Sequence, residues 1–110
     1  MAKSKVETYL GFCIRARKIL FGIDNIESAK RGVYLLLCDE ALGGSSLKTL
    51  IKSKEKFACP LVMASTGYLG ELLHRPAVKT VAVKDENLAA AILSVLKDEP
   101  QLKLYSGGNN

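Results

Sequence analysis

From Ser4 to about Arg17, the apolar residues Val6, Leu10, Cys13 and Ile14 recur at helical spacing, while Lys3, Lys5, Glu7, Arg15 and Arg17 fall mostly off that stripe. This predicts an amphipathic first helix. Ile19-Leu20-Phe21 is a short apolar run closed by Gly22, and Asp24 is placed to cap a helix that carries Ile23, Ile26 and Ala29 until Arg31-Gly32 stops it. The expectation is strand, then helix. Val33 to Cys38 is apolar at every position, which suits a central strand covered on both faces. Gly43-Gly44-Ser45-Ser46 supplies a turn and cap for a third helix ending near Ala58. In that helix Leu47, Leu50, Ile51 and Phe57 face one way, and Lys48, Lys52 and Lys56 face water. Pro60 to Ala64 reads as another buried strand, Thr66 as the cap of a short helix through Leu73, and Val78 to Val83 as a fourth strand. A last helix runs from Glu86 to about Lys97, before Asp98-Glu99-Pro100 ends it. Helix and strand alternate, so the expected class is α/β: a small sheet between helices, in an α/β/α layer arrangement. One domain over residues 1–97 is followed by a polar carboxyl-terminal tail over 98–110.

Composition adds little to this, but charge adds something. The chain has 110 residues, 48 % hydrophobic and 25 % charged, an ordinary balance for a globular domain. Residues 1–58 hold eleven Lys or Arg against six Asp or Glu, and the remainder holds five of each. The whole net charge of +5 therefore lies in the first half, where it favours a polyanion. A basic balance also describes many ordinary solvated surfaces. The apolar runs Tyr9 to Ile14 and Val33 to Cys38 are far too short for a signal peptide or a membrane span. Cys13, Cys38 and Cys59 are odd in number, far apart and set among apolar neighbours, as expected of buried thiols in a reducing cytosol.

Enzyme chemistry finds few candidates. The single histidine, His74, has no spacing that ties it to a cysteine, and three cysteines with one histidine match no zinc pattern. No catalytic residue, metal or cofactor is expected. Asp39-Glu40 follows the buried strand, a place where open α/β sheets bind ligands, yet such a pair more often caps the next turn. The Gly43 to Ser46 turn lacks the lysine of a phosphate-binding loop. A ligand-binding or enzymatic domain built on these two features ranks last.

Several features converge on the stretch Arg15-Ala-Arg-Lys-Ile-Leu-Phe-Gly-Ile-Asp-Asn-Ile-Glu-Ser-Ala-Lys-Arg31. Arg15, Arg17 and Lys18 close the first helix, Gly22 permits close approach, and Asp24-Asn25 begin a helix whose free N–H groups favour anions. Asn and Asp can also read base edges. RNA binding and a solvated basic face are about equally compatible with the residues alone.

The run Leu10-Gly11-Phe-Cys-Ile-Arg15-Ala16-Arg17-Lys18-Ile-Leu-Phe-Gly22 resembles the opening of bacterial members of the ribosomal protein L-seven-Ae group, relatives of the kink-turn RNA-binding proteins. Leu35 to Ala41 is similar to that family's apolar strand ending in two acids and an alanine. Cys59-Pro60-Leu-Val is similar to its third strand, and Leu69-Gly70 to its second loop signature. The resemblance covers about residues 6–97. It implies a three-layer α/β/α sandwich with a mixed four-stranded sheet, and a cytoplasmic, ribosome-associated RNA-binding protein that recognises a kink-turn or similar bent internal loop. Carried over by position, it implies RNA contacts at Gly22, Asp24 and Asn25, with Arg17 and Lys18 on phosphates, and Leu69, Gly70, Leu72 and Leu73 shaping a second loop against a flipped-out nucleotide. The mechanism expected of these residues has Arg15, Arg17, Lys18, Lys30 and Arg31 neutralising phosphates while Asp24 and Asn25 contact exposed base edges. The chain departs from the pattern in places. Asp24-Asn25 stand where the strongest kink-turn binders carry Asn-Glu, Ser28 where they carry lysine, and His74 where the family carries glycine. Lys30 or Arg31 offers a substitute for the cation absent at Ser28. The alternative is a protein-interaction module of the same fold without RNA recognition.

Overall fold

The structure, a computed structural model, describes residues 4–105. Ser4 caps α1 (Lys5–Arg15), its hydroxyl accepting from the amides of Val6 and Glu7 at 3.1 and 3.3 Å. There follow β1 (Ile19–Phe21), α2 (Ile23–Ser28), β2 (Leu35–Asp39), α3 (Gly44–Phe57), β3 (Leu61–Ala64), α4 (Tyr68–Leu73), β4 (Thr80–Val83), α5 (Glu86–Ser94) and β5 (Leu102–Leu104). The strands form one mixed sheet in the order β1-β4-β2-β3-β5. Only β2 and β3 pair in parallel, with Leu37 opposite Val62. β4 runs against both β1 and β2, so β1, β2 and β3 all end at the same edge of the sheet.

β2 is fully buried, as its unbroken apolar run predicts. Its alternate residues divide between two cores. Leu35 and Leu37 join Val6, Leu10 and Cys13 of α1, Leu69, Leu72 and Leu73 of α4, and Ala89 and Ile92 of α5. Leu36 and Cys38 join Ile26 of α2 and Leu50 of α3. All three cysteines are free and buried, and burial pushes the Cys13 and Cys38 thiols up to about 11, so both stay protonated at neutral pH.

The sheet has five strands, not four, and the expected polar tail is where the fifth comes from. Leu102 to Leu104 pairs antiparallel with β3, and Leu102 is buried. The Glu99 carboxylate accepts from the Ser4 and Tyr68 hydroxyls at 2.9 and 3.1 Å, which ties this segment to the starts of α1 and α4. Three residues carry too little alternation to announce a strand, and Glu99 gains its partners only through the fold. The rest of the expected tail, residues 106–110, lies outside the described residues.

Helix starts also differ from expectation. Gly22 and Gly67 are the N-caps of α2 and α4, rather than Asp24 and Thr66, while Gly43, within the expected Gly43 to Ser46 turn, is the N-cap of α3. At Gly22 the turn out of β1 needs φ of 89°, a conformation natural to glycine, so the helix begins immediately after it. Thr66 instead donates both its amide and hydroxyl to Glu40 at 3.1 Å. α2 stops at Ser28, short of Arg31, and α5 stops at Ser94, with a 3-10 turn over Leu96–Asp98. The carbonyl of Ala29, just beyond α2, is met from another helix by Lys56 Nζ at 2.6 Å. Lys56 therefore leaves the purely solvated role its spacing predicts and places a cation at the carboxyl end of α2.

Gly70, within α4, is fixed by a close approach. A Cβ there would lie 2.9 Å from Pro76 Cα and 3.0 Å from the carbonyl oxygens of Arg75 and Pro76. Because backbone blocks the space, Gly70→Ala is expected to destabilise the fold by about 2 to 3 kcal/mol, from overpacking that no rotamer relieves. Urea denaturation of the variant beside the parent chain checks this.

Candidate nucleic-acid interface

The convergent stretch is organised by β1, an edge strand paired on one side only, with β4. α1 hands over to it through a tight reversal. The amide of Lys18 donates to Cys13 O at 2.8 Å and that of Arg17 to Ile14 O at 3.1 Å, the paired bonds of a Schellman cap. The residue that turns the chain in such a cap takes a left-handed conformation, and here it is Arg17, with φ of 58°. α4 ends identically, the amides of Arg75 and His74 donating to Gly70 O and Glu71 O, with His74 at φ of 57°. Ala58 does the same after α3 with only a methyl group. The device is thus common to three helix ends. What sets Arg17 and His74 apart is that each holds a long polar, solvent-exposed side chain at a position that favours glycine.

The strand separates the expected site into two ends. Lys18 and Gly22 flank β1, and an extended chain places them about 13 Å apart. At the Lys18 end, the Lys84 amide donates to Lys18 O at 2.8 Å, and a Cβ at Gly32 would lie 3.6 Å from Lys84 Cε. The chain segments that carry the exposed residues Arg17, Lys18, Lys30 and Arg31 thus adjoin Lys84 at one end of the sheet. At the other end, the Gly22 amide donates to Thr80 O at 3.0 Å, and the space above Gly22 is open. Asp24 and Asn25 are exposed beside it. The Asn25 amide nitrogen donates to Phe21 O at 2.8 Å, which fixes the side chain and leaves its oxygen as an acceptor facing solvent. Asp24 itself supplies the negative charge that the first turn of α2 favours. Ser28 is turned inward on its own helix, its hydroxyl donating to Asp24 O at 2.7 Å.

Sequence reasoning passes over Arg75, Lys79 and Lys84. The Arg75 guanidinium lies over the Phe21 ring, 4.6 Å from its centroid, and so joins the Gly22 end. Lys79 is exposed one residue before Thr80, the partner of Gly22. No local pattern marks these three; the pairing of β4 with β1 brings them in. Arg15 lies over the exposed ring of Phe12 at 4.9 Å. The second-loop residues are placed differently from a contact surface: Leu69, Leu72 and Leu73 are at most 5 % exposed and Gly70 is buried beneath Arg75-Pro76. They position the loop from the core.

The acidic pair Asp39-Glu40 makes hydrogen bonds within the fold. Asp39, 1 % exposed, accepts from the amides of Ala41 and Gly67, both at 2.7 Å, and Glu40 holds Thr66. The acidic pair thus ties the end of β2 to the β3–α4 turn. Among the described residues no group of His, Cys, Asp and Glu is arranged to hold a metal. The only ion pair among them joins His74 Nε2 to Glu7 Oε2 at 2.6 Å, so the cations around β1 have no carboxylate partner. No described helix is long and apolar enough to cross a membrane.

No family model and no curated protein matches the chain. A solved structure described as that of a protein with unknown function from Bacillus halodurans C is similar to it, with a TM-score of 0.74 at 20 % identity, over 86 % of this chain and 99 % of that one. At that identity the likeness shows a shared fold.

If the Arg17 side chain is kept for a ligand and not for the fold, Arg17→Gly will raise stability. Relief of the left-handed conformation is worth about 1 kcal/mol, read as a higher urea midpoint. An unchanged or lower midpoint would show that Arg17 serves the fold itself.

Proposed function

We propose that this chain is a non-enzymatic RNA-binding protein of the ribosomal L-seven-Ae kind, ribosome-associated and cytoplasmic, which recognises a kink-turn or similar bent internal loop. The observation that carries the reading is the unpaired cation set at the Lys18 end of β1, held about 13 Å from an open, polar Gly22 end. Phosphates of one strand meet Arg17, Lys18, Lys30, Arg31 and Lys84, while Asp24 accepts from base amino groups and Asn25 Oδ1 does the same. Two contact sets fixed on one strand select an RNA whose backbone and exposed base edges present that offset together, which a bent loop does and a uniform duplex does not. Lys30 and Arg31 together stand in for the cation absent at Ser28. In this reading the two cores belong to a three-layer α/β/α sandwich, with helices on both faces of the sheet.

The alternative, a protein-interaction module, would use the opposite edge. β5 leaves Leu104 56 % exposed on a strand whose outer side is unpaired.

Binding to a kink-turn RNA and to a straight duplex of equal length, at low and high salt, separates the readings. The kink-turn RNA is expected to bind more tightly at both. With about five phosphate contacts, affinity falls on the order of a hundred- to a thousandfold between about 50 and 200 mM salt. Lys18→Ala and Arg31→Ala each lower the salt slope by about one. Equal affinity for the two RNAs would remove shape recognition, and no affinity for either would favour the protein-interaction reading.

A further inference from the structure

Lys30 and Arg31, two of the cations given to phosphate above, sit in the loop that joins α2 to β2. Among the described residues, the amides of Lys30, Arg31, Gly32 and Val33 donate to no backbone carbonyl. The far end of this loop is fixed by the sheet, through buried Val33 and the Tyr34 amide, which donates to Val83 O at 2.9 Å. The near end lacks such support from its own helix. α2 is six residues long, has no basic residue in its last turn and gives way to extended backbone at Ala29. A loop so built keeps one conformation only where side chains hold it, because ordering each residue costs conformational entropy that no backbone bond offsets.

The side chain that holds it comes from α3. The Lys56 ammonium donates to Ala29 O at 2.6 Å and reaches Glu27 O at 3.5 Å, across 27 residues in the first case. It also lies 5.0 Å from the centroid of the Phe57 ring, which packs on the core that contains Ile26 and Leu50. The anchor is therefore itself fixed to the body of the fold. Its donors are committed to the carboxyl end of α2, where the peptide dipoles favour a cation and α2 supplies none of its own. Neither Glu27 nor Glu55 forms an ion pair with it.

We infer that Lys56 is a positioning residue for RNA. It does not meet phosphate; it fastens the α2–β2 loop to α3, so that the segment carrying Lys30 and Arg31 adjoins Lys84 at the Lys18 end of β1. The inference rests on the RNA-binding reading and gives α3 a part in a site that none of its own residues enters.

The test compares Lys56→Met, which keeps the aliphatic stem beside Phe57 and removes the donors, with Lys52→Met. The second variant removes the same charge one turn earlier, from an exposed lysine that bonds to neither carbonyl. In the free protein, backbone order parameters at Lys30 to Gly32 are expected at about 0.85 in the parent and in Lys52→Met, and below about 0.6 in Lys56→Met. Lys56→Met is expected to weaken binding to a kink-turn RNA roughly tenfold, and Lys52→Met no more than about twofold. Lys56→Arg, which can still donate to the carbonyls, restores most of the affinity. When Lys30→Ala and Arg31→Ala are already present, Lys56→Met brings no further loss, since it acts through those two residues. Unchanged order parameters in Lys56→Met would overturn the inference whatever the RNA result. Equal losses in Lys56→Met and Lys52→Met, or an undiminished loss once Lys30 and Arg31 are gone, would also overturn it and leave the RNA-binding reading standing. If the loop loosens in Lys56→Met but the parent chain binds no RNA, the RNA-binding reading falls and the inference falls with it, leaving Lys56 as an anchor of the fold.

Discussion

A three-residue edge strand, joined to the sheet by β4 alone, sets the geometry on which the rest of this surface depends. The Lys84 amide holds its start through Lys18 O, and Thr80 O holds its end through the Gly22 amide, so both termini of β1 are pinned to one neighbour. β4 is in turn paired with the fully buried β2. The exposed polar residues at the two ends of β1 therefore sit on a rigid frame although each belongs to a turn, the arrangement by which loops carry binding groups with little freedom.

The turns themselves are unusual in their residues rather than in their geometry. Schellman caps normally place glycine where Arg17 and His74 stand, and a left-handed non-glycine residue costs about 1 kcal/mol or more. Arg17 enters β1 on the cationic side, and His74 directs Arg75 onto Phe21 on the other. The Glu7 partner of His74 fastens that second turn back to α1. Lys56 reaching the end of α2, and Asp39 and Glu40 tying β2 to the turn before α4, support the same frame from the opposite core and from the sheet edge.

Much of this was legible in the sequence wherever a residue's role is set by its neighbours in the chain. The unbroken apolar run of β2, the stripe of α1 and the apolar face of α3 each announce their element and their burial. Roles set by distant partners are not visible that way. β5 depends on the pairing of Leu102–Leu104 with β3, the turns before α2 and α4 are held by the Gly22–Thr80 and Thr66–Glu40 hydrogen bonds, and Gly70 is small because Pro76 crosses it. The same holds for the candidate site. The cluster from Arg15 to Arg31 is contiguous in sequence, but its division into two ends, the arrival of Arg75, Lys79 and Lys84, and the burial of Leu69, Leu72 and Leu73 follow from strand pairing and core packing.

The central claim is that both ends of β1 meet one RNA at once. Amide shift mapping of the isotope-labelled protein during titration with a kink-turn RNA tests it directly. The account predicts concerted changes at Arg17, Lys18 and Lys84 and at Gly22 to Asn25 and Arg75, with β5 unaffected. Changes confined to one end of β1, or centred on Leu104, would contradict it.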